Sequence, residues 1–202
     1  MSNQKIYILL TDTGTLFTRL IKLYTKKPYN HASISIDPEL KNVYSFGRKT
    51  AKNPFIGGFV KENLRGKFFT DSKCTVISCS VTDAQLNKLK ALINKIESEK
   101  DDYSYNLLGL FAIMFNKQLS RKNTFFCSQF VATVLQRCEI VKFNKPPALV
   151  MPHDLMENED FIVVFQGSLK EYFLTIECRA IEKNTCISTN GQEKFGQSLA
   201  IS

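Results

Sequence analysis

A thiol attacks a carbonyl at neutral pH only where its surroundings hold it as a thiolate. The chain has six cysteines, at positions 74, 79, 127, 138, 178 and 186, and the question is which of them is so held. Cys127 stands out by position. It follows Phe125-Phe126, and after it Phe130, Val131, Val134, Leu135 and Cys138 recur at helical spacing to about Glu139. A sulfur at a helix start faces unpaired backbone N–H groups and the positive end of the helix dipole. A nearby imidazole would lower its pKa further, and the chain has only two histidines. His31 opens a run of period two, so that His31, Ser33 and Ser35 line one face and Ala32, Ile34 and Ile36 the other. His153 lies between Pro152 and Asp154 in a stretch that reads as loop. A base fixed on a strand keeps its register with a nucleophile, which makes His31 the expected partner. Each residue also has an inert reading: the cysteine as a small buried side chain, the histidine as a hydrogen-bonded structural group. Cys79, Cys138 and Cys178 read as core thiols.

The elements that must position this pair are legible in outline. Ile6 to Leu10 reads as a buried strand, followed by a Thr11–Gly14 turn and a helix from about Thr15 to Tyr24. The His31 strand turns at Asp37-Pro38-Glu39 and returns as Val43–Phe46. Residues 47 to 70 carry five of the prolines and glycines among aromatics and read as a long irregular loop, with Pro54–Phe59 as a flap over a substrate or a segment pinned to the core. Thr75–Val81 reads as a strand. Thr82 with Gln85 makes a capping box for a helix carrying Leu86, Leu89, Ile93 and Ile96 on one stripe. An apolar core helix is expected over Tyr105–Phe115, loop around Pro146–Pro152, and two strands at Phe161–Phe165 and Tyr172–Cys178. Without regular βαβ alternation, the expectation is an α+β domain whose antiparallel sheet packs against helices. It spans residues 1–184, with a loosely ordered tail over 185–202.

Composition narrows the setting. Hydrophobic residues make up 44% and charged residues 23%, ordinary values for a chain that buries one core. The net charge of +8 suits an anionic membrane surface, but the lysines are scattered and no nucleic-acid signature accompanies them, so no specific nucleic-acid partner is expected. No CxxC spacing occurs, which argues against a metal; no cofactor is expected either. The segment Met1–Lys5 is polar, the run Ile6–Leu10 is too short for a signal sequence, and Leu107–Phe115 is too short for a bilayer span. A cytoplasmic, reducing setting with free thiols follows as the expectation.

Two blocks, Tyr29-Asn30-His31-Ala32-Ser33-Ile34 and Phe126-Cys127-Ser128-Gln129-Phe130-Val131, resemble the signature segments of permuted NlpC-type papain-like enzymes, the YiiX/YaeF-like group. In that group the histidine strand precedes the cysteine helix. The strand at Ile6–Leu10, the stretch Tyr105–Leu110 and Pro152–Leu155 resemble it more weakly. The resemblance implies a papain-like fold over about residues 5 to 165, with Cys127 as nucleophile and His31 as base of a thiol hydrolase. The substrate implied is an amide in a peptide or cell-wall peptide. A third polar residue, often an acid, is implied on the strand after His31, where Ser45 falls; Asp37 is the substitute. Tyr7, Tyr103 and Tyr105 are open candidates for an oxyanion donor. The rival readings are a lipid-directed thiol acyltransferase or phospholipase like the lecithin:retinol acyltransferase group, although that group carries Asn-Cys-Glu-His-Phe where this chain has Phe-Cys-Ser-Gln-Phe, and a non-catalytic binding module with a degraded triad.

Overall fold

The β-branched and aromatic residues around Ile6–Leu10 build β1 (Gln4–Asp12), the strand on which the sheet is assembled. The computed structural model describes residues 4–12, 26–48, 57–66, 69, 72–106 and 122–193. On one side β1 pairs antiparallel with β2 (His31–Ser35), setting Thr11 opposite His31 and Ile8 opposite Ile34. Beyond β2 come β3 (Val43–Arg48) and β4 (Gly57–Lys61), joined by successive antiparallel ladders. On the other side β1 pairs with β5 (Lys73–Val81), and β5 with β8 (Ile162–Ser168). The six strands run in the order β4-β3-β2-β1-β5-β8, an antiparallel sheet packed against helices. A separate parallel pair joins β6 (Ser104–Tyr105) and β7 (Thr124–Phe125).

Strand alternation divides the core in two. Ile6, Ile8, Leu10, Ala32, Ile34, Phe46 and Ile77 face helices α1 (Asp83–Ser98) and α2 (Cys127–Arg137), meeting Leu89, Ile93, Phe130 and Val131 there. Leu9, Val43, Cys74 and Val76 face the opposite way, against Leu169, Tyr172 and Phe173 at the start of α4 (Leu169–Glu193). The Thr82/Gln85 box caps α1 as expected, with Leu86, Leu89, Ile93 and Ile96 buried. Between α2 and β8 lie a 3-10 turn (Pro147–Leu149) and the short helix α3 (Pro152–Met156).

Several expectations need correction. The loop expected over 47–70 contains β4, whose period-two pattern is masked by Gly57-Gly58 at its start. The glycine serves a close approach: a Cβ at Gly57 would lie 2.7 Å from both the Gly47 carbonyl oxygen and Tyr105 Cβ. Phe59 is buried in the first core, so the visible part of the expected flap is pinned; residues 51–56 lie outside the described residues. Tyr172–Cys178 is helix, not strand. Its aromatic and β-branched residues favour strands, but Leu169, Tyr172, Phe173 and Ile176 share a helical stripe that meets the second core. The box was also in the sequence: Ser168 Oγ accepts from the Glu171 N–H (3.2 Å) and Glu171 Oε2 from the Ser168 N–H (2.8 Å). That helix runs to Glu193, through the start of the expected tail at 185, and Cys178 on it is exposed rather than core. His153 stands on α3, where Pro152 opens the helix and Asp154 accepts from the Met151 N–H, instead of in loop. Tyr105 belongs to β6 and Asn106, whose N–H donates to the Phe125 carbonyl at 2.9 Å, is not helical; residues 107–115 of the expected core helix, and the helix expected over 15–24, lie outside the described residues.

Candidate active site

Helix α2 begins at the candidate nucleophile itself. Phe126 holds extended backbone before the first turn, and its carbonyl accepts from the Phe130 N–H at 2.9 Å. Gln129 reaches back so that its Oε1 accepts from the Phe126 N–H at 3.3 Å. Ser128 Oγ donates to the Val150 carbonyl at 2.7 Å, tying the helix start to the following loop. Cys127 is therefore fixed by backbone, with 5% of its surface exposed. Its sulfur accepts from the N–H groups of Ser128 and of Ala32 on β2 and hydrogen-bonds the His31 side chain. The presence of alanine beside the histidine fits this packing, since a small side chain on the helix-facing side of β2 lets the α2 start approach the strand.

His31 is held from its other nitrogen. Its Nε2 lies 2.6 Å from Oε1 of Glu62, one residue beyond β4, while the same side chain hydrogen-bonds the Cys127 sulfur. Glu62 in turn accepts from Ser45 Oγ at 2.5 Å and from Ser33 Oγ at 2.7 Å, so both carboxylate oxygens are occupied. These four residues share one polar face of adjacent strands. Both side chains of the pair are shielded, with 14% of His31 and 5% of Glu62 exposed.

The electrostatics follow from that shielding and its compensation. Burial by itself would lower the His31 pKa, but the adjacent Glu62 carboxylate, with the Cys127 sulfur, raises it to about 10. Burial would raise the Cys127 thiol; the imidazolium and the two backbone N–H groups outweigh it and bring the thiol below its ordinary value. Glu62 is likewise opposed by burial and held below the usual carboxylate range by His31, Ser45 and Ser33. These shifts run toward an arrangement of thiolate, imidazolium and carboxylate in a row. It can deliver a nucleophile without first transferring a proton.

The structure thus joins Cys127 and His31, the two residues singled out from sequence. Ser45 is in the cluster but in a different place: it donates to Glu62, and the carboxylate, not the hydroxyl, meets the imidazole. Asp37 is excluded as third member because its carboxylate closes the β2–β3 turn, accepting from the N–H groups of Lys41 and Asn42, each at 2.9 Å. His153 turns to Asp154 at 3.5 Å, and burial lowers its pKa. Of the tyrosines, Tyr7 packs on the second core, whereas Tyr103 and Tyr105 lie against the first, with Tyr103 stacked on Phe125. Glu62 was missed because it ends a strand read as loop. Once β4 is recognised, the alternation Gly58, Val60, Glu62 places it on the face of Ser45, where a hydroxyl-rich strand pair lacks an acceptor. Among the described residues no group of three or more His, Cys, Asp or Glu side chains is arranged to hold a metal ion, and no helix is long and apolar enough to cross a membrane. No family model, no curated protein and no solved structure matches this chain.

Proposed function

We propose that this chain is a thiol hydrolase with a permuted papain-like arrangement, cleaving an amide bond in a peptide or a cell-wall-derived peptide. The observation that carries the reading is the buried relay Glu62–His31–Cys127, in which an imidazole bridges a carboxylate and a sulfur at a helix start. The thiolate attacks the amide carbonyl, forming a C–S bond, and the oxyanion is met by amides of the α2 start. His31 passes its proton to the leaving nitrogen as the C–N bond breaks, leaving an acyl-enzyme on Cys127. Water then attacks that carbonyl, His31 takes the proton, and the carboxylic acid leaves as the thiolate is restored. Glu62 holds the imidazole in register throughout and stabilises its cationic form.

The case for a degraded, non-catalytic site rested on a serine in the acid's place. A buried carboxylate on His31 supports the catalytic reading instead. The five cysteines whose side chains are described are all unpaired, which fits work in a reducing cytoplasm. The test is labelling by a thiol-directed acyl probe. The parent is expected to form one covalent adduct, lost in Cys127→Ala; equal labelling of that variant would sink the assignment.

A further inference from the structure

The two ends of the main sheet are treated differently. At one end β4 is short, begins with two glycines, carries Lys61, and has Tyr105 of the β6–β7 pair packed against Gly57. At the other end β8 pairs only with β5 among the described strands. Its first three residues are apolar and open to solvent, Ile162 at 70%, Val163 at 54% and Val164 at 36% exposure. Consecutive strand residues point to opposite faces, so exposure of both Ile162 and Val163 means that neither face of the strand is covered there. Val164 is also the extra residue of a bulge, since Val76 pairs with Phe165 and Ile77 with Val163. An apolar edge with its backbone groups unpaired is a template for another strand.

The charge around β8 says which strand. Its N-terminal end is preceded by exposed Glu159 and Asp160, with Glu157 before them paired to Lys27 at 2.8 Å. Its C-terminal end lies beside exposed Lys73, the register partner of Ser168, and is followed by exposed Lys170. Glu171, also at that end, turns its carboxylate back onto the Ser168 N–H at 2.8 Å. A strand that is acidic at one end and basic at the other is complementary to itself when the second copy runs antiparallel. We infer that β8 is a self-association edge, which pairs with β8 of a second copy about a two-fold axis so that the acidic end of each meets the basic end of the other. The pairing would extend the sheet across two protomers and cover Ile162, Val163 and Val164 on both. A seven-residue strand pair is a small interface, so the association is weak and concentration-dependent.

The test combines sedimentation equilibrium with amide hydrogen exchange over a concentration series into the high micromolar range. The parent should shift from a 23.0 kDa monomer toward twice that mass. Amides of residues 162–168 should gain protection in step, and added salt should weaken both effects. Val163→Lys changes an exposed side chain and should keep the fold, checked by circular dichroism, while abolishing the dimer. Asp160→Lys and Lys170→Asp should each weaken association, and the double reversal should restore it. A parent that stays monomeric with concentration-independent exchange in β8 overturns the inference. So does a dimer that survives Val163→Lys or is protected elsewhere, for example at exposed Leu174 and Ile181 on α4.

Discussion

Cys127 and Cys79 are the same residue, almost equally shielded at 5% and 6% exposure, and their surroundings push the two thiol pKa values in opposite directions. Cys79 sits in the first core, where burial and the charge of Asp160 push its thiol up to about 12. Cys74, in the second core, is likewise pushed up to about 12 by burial and Glu171. Cys127 is desolvated at least as strongly and goes the other way, because the His31 imidazolium and two N–H groups point at it. The contrast teaches that burial does not decide whether a thiol reacts; what decides is whether the groups around the sulfur replace the solvation that burial removed.

The largest expected effect breaks that contrast directly. Alkylation of the folded protein at mildly acidic pH should modify Cys127 and spare Cys74 and Cys79, read by peptide mass mapping. His31→Ala should make Cys127 as sluggish as the other two and reduce amide turnover by about 10²–10⁴-fold. If Cys127 keeps its reactivity without His31, the imidazole is not what holds the thiolate.

Glu62→Gln is the next step down, since it keeps the shape and removes the charge. The His31 pKa should fall from about 10, and the alkaline limit of the reactive ion pair should fall with it. Stability carries the same signature. A histidine raised from an ordinary value of about 6.5 contributes in full below that pH, and the contribution is lost as pH rises through its folded value. The depressed thiol works oppositely, contributing above about 8.5 and losing that contribution as pH falls through its folded value. The two offset each other in between, so the parent should lose stability as pH climbs toward about 10. In Glu62→Gln the alkaline loss should be smaller and complete at lower pH, measured as urea midpoints across the range; an unmoved alkaline limb would remove Glu62 from the relay.

The smallest effects compare three hydroxyls near His31. Ser33 and Ser45 donate to the Glu62 carboxylate, whereas Thr11, opposite His31 on β1, is fully buried and its Oγ1 has no partner among the described residues. Ser45→Ala should cost about 1.5–3 kcal/mol, as a lost hydrogen bond to a charged group, and lower turnover modestly. Thr11→Val, which removes an unsatisfied group, should leave stability unchanged or slightly raised. Thermal denaturation of the two variants side by side decides whether the hydroxyls matter through Glu62 or only through packing.

Much of this was readable in the residues themselves. The periodicity of Phe130, Val131, Val134 and Leu135 fixed where α2 runs, and Thr82 with Gln85 fixed where α1 starts, because both signals are local. The alternation from His31 to Ser35 put the histidine on the polar face. Where the reading failed, the determinant was not local. The segment Gly57–Lys61 has little strand pattern of its own and becomes β4 because β3 offers it an edge. Tyr172–Cys178 has strand-favouring residues and becomes helix because Leu169, Tyr172 and Phe173 find the second core.

By itself, then, the order of residues selected the candidate pair: one cysteine at a helix start and one histidine on a polar strand face, each recognisable from its own neighbours. Only the tertiary structure could supply the carboxylate between Ser33, Ser45 and His31, since Glu62 is 31 residues from the histidine it holds. The same packing set the sign of the Cys127 shift. Electrostatic balance in a buried site depends on distances between strands and helix, and those distances exist only after the sheet has closed.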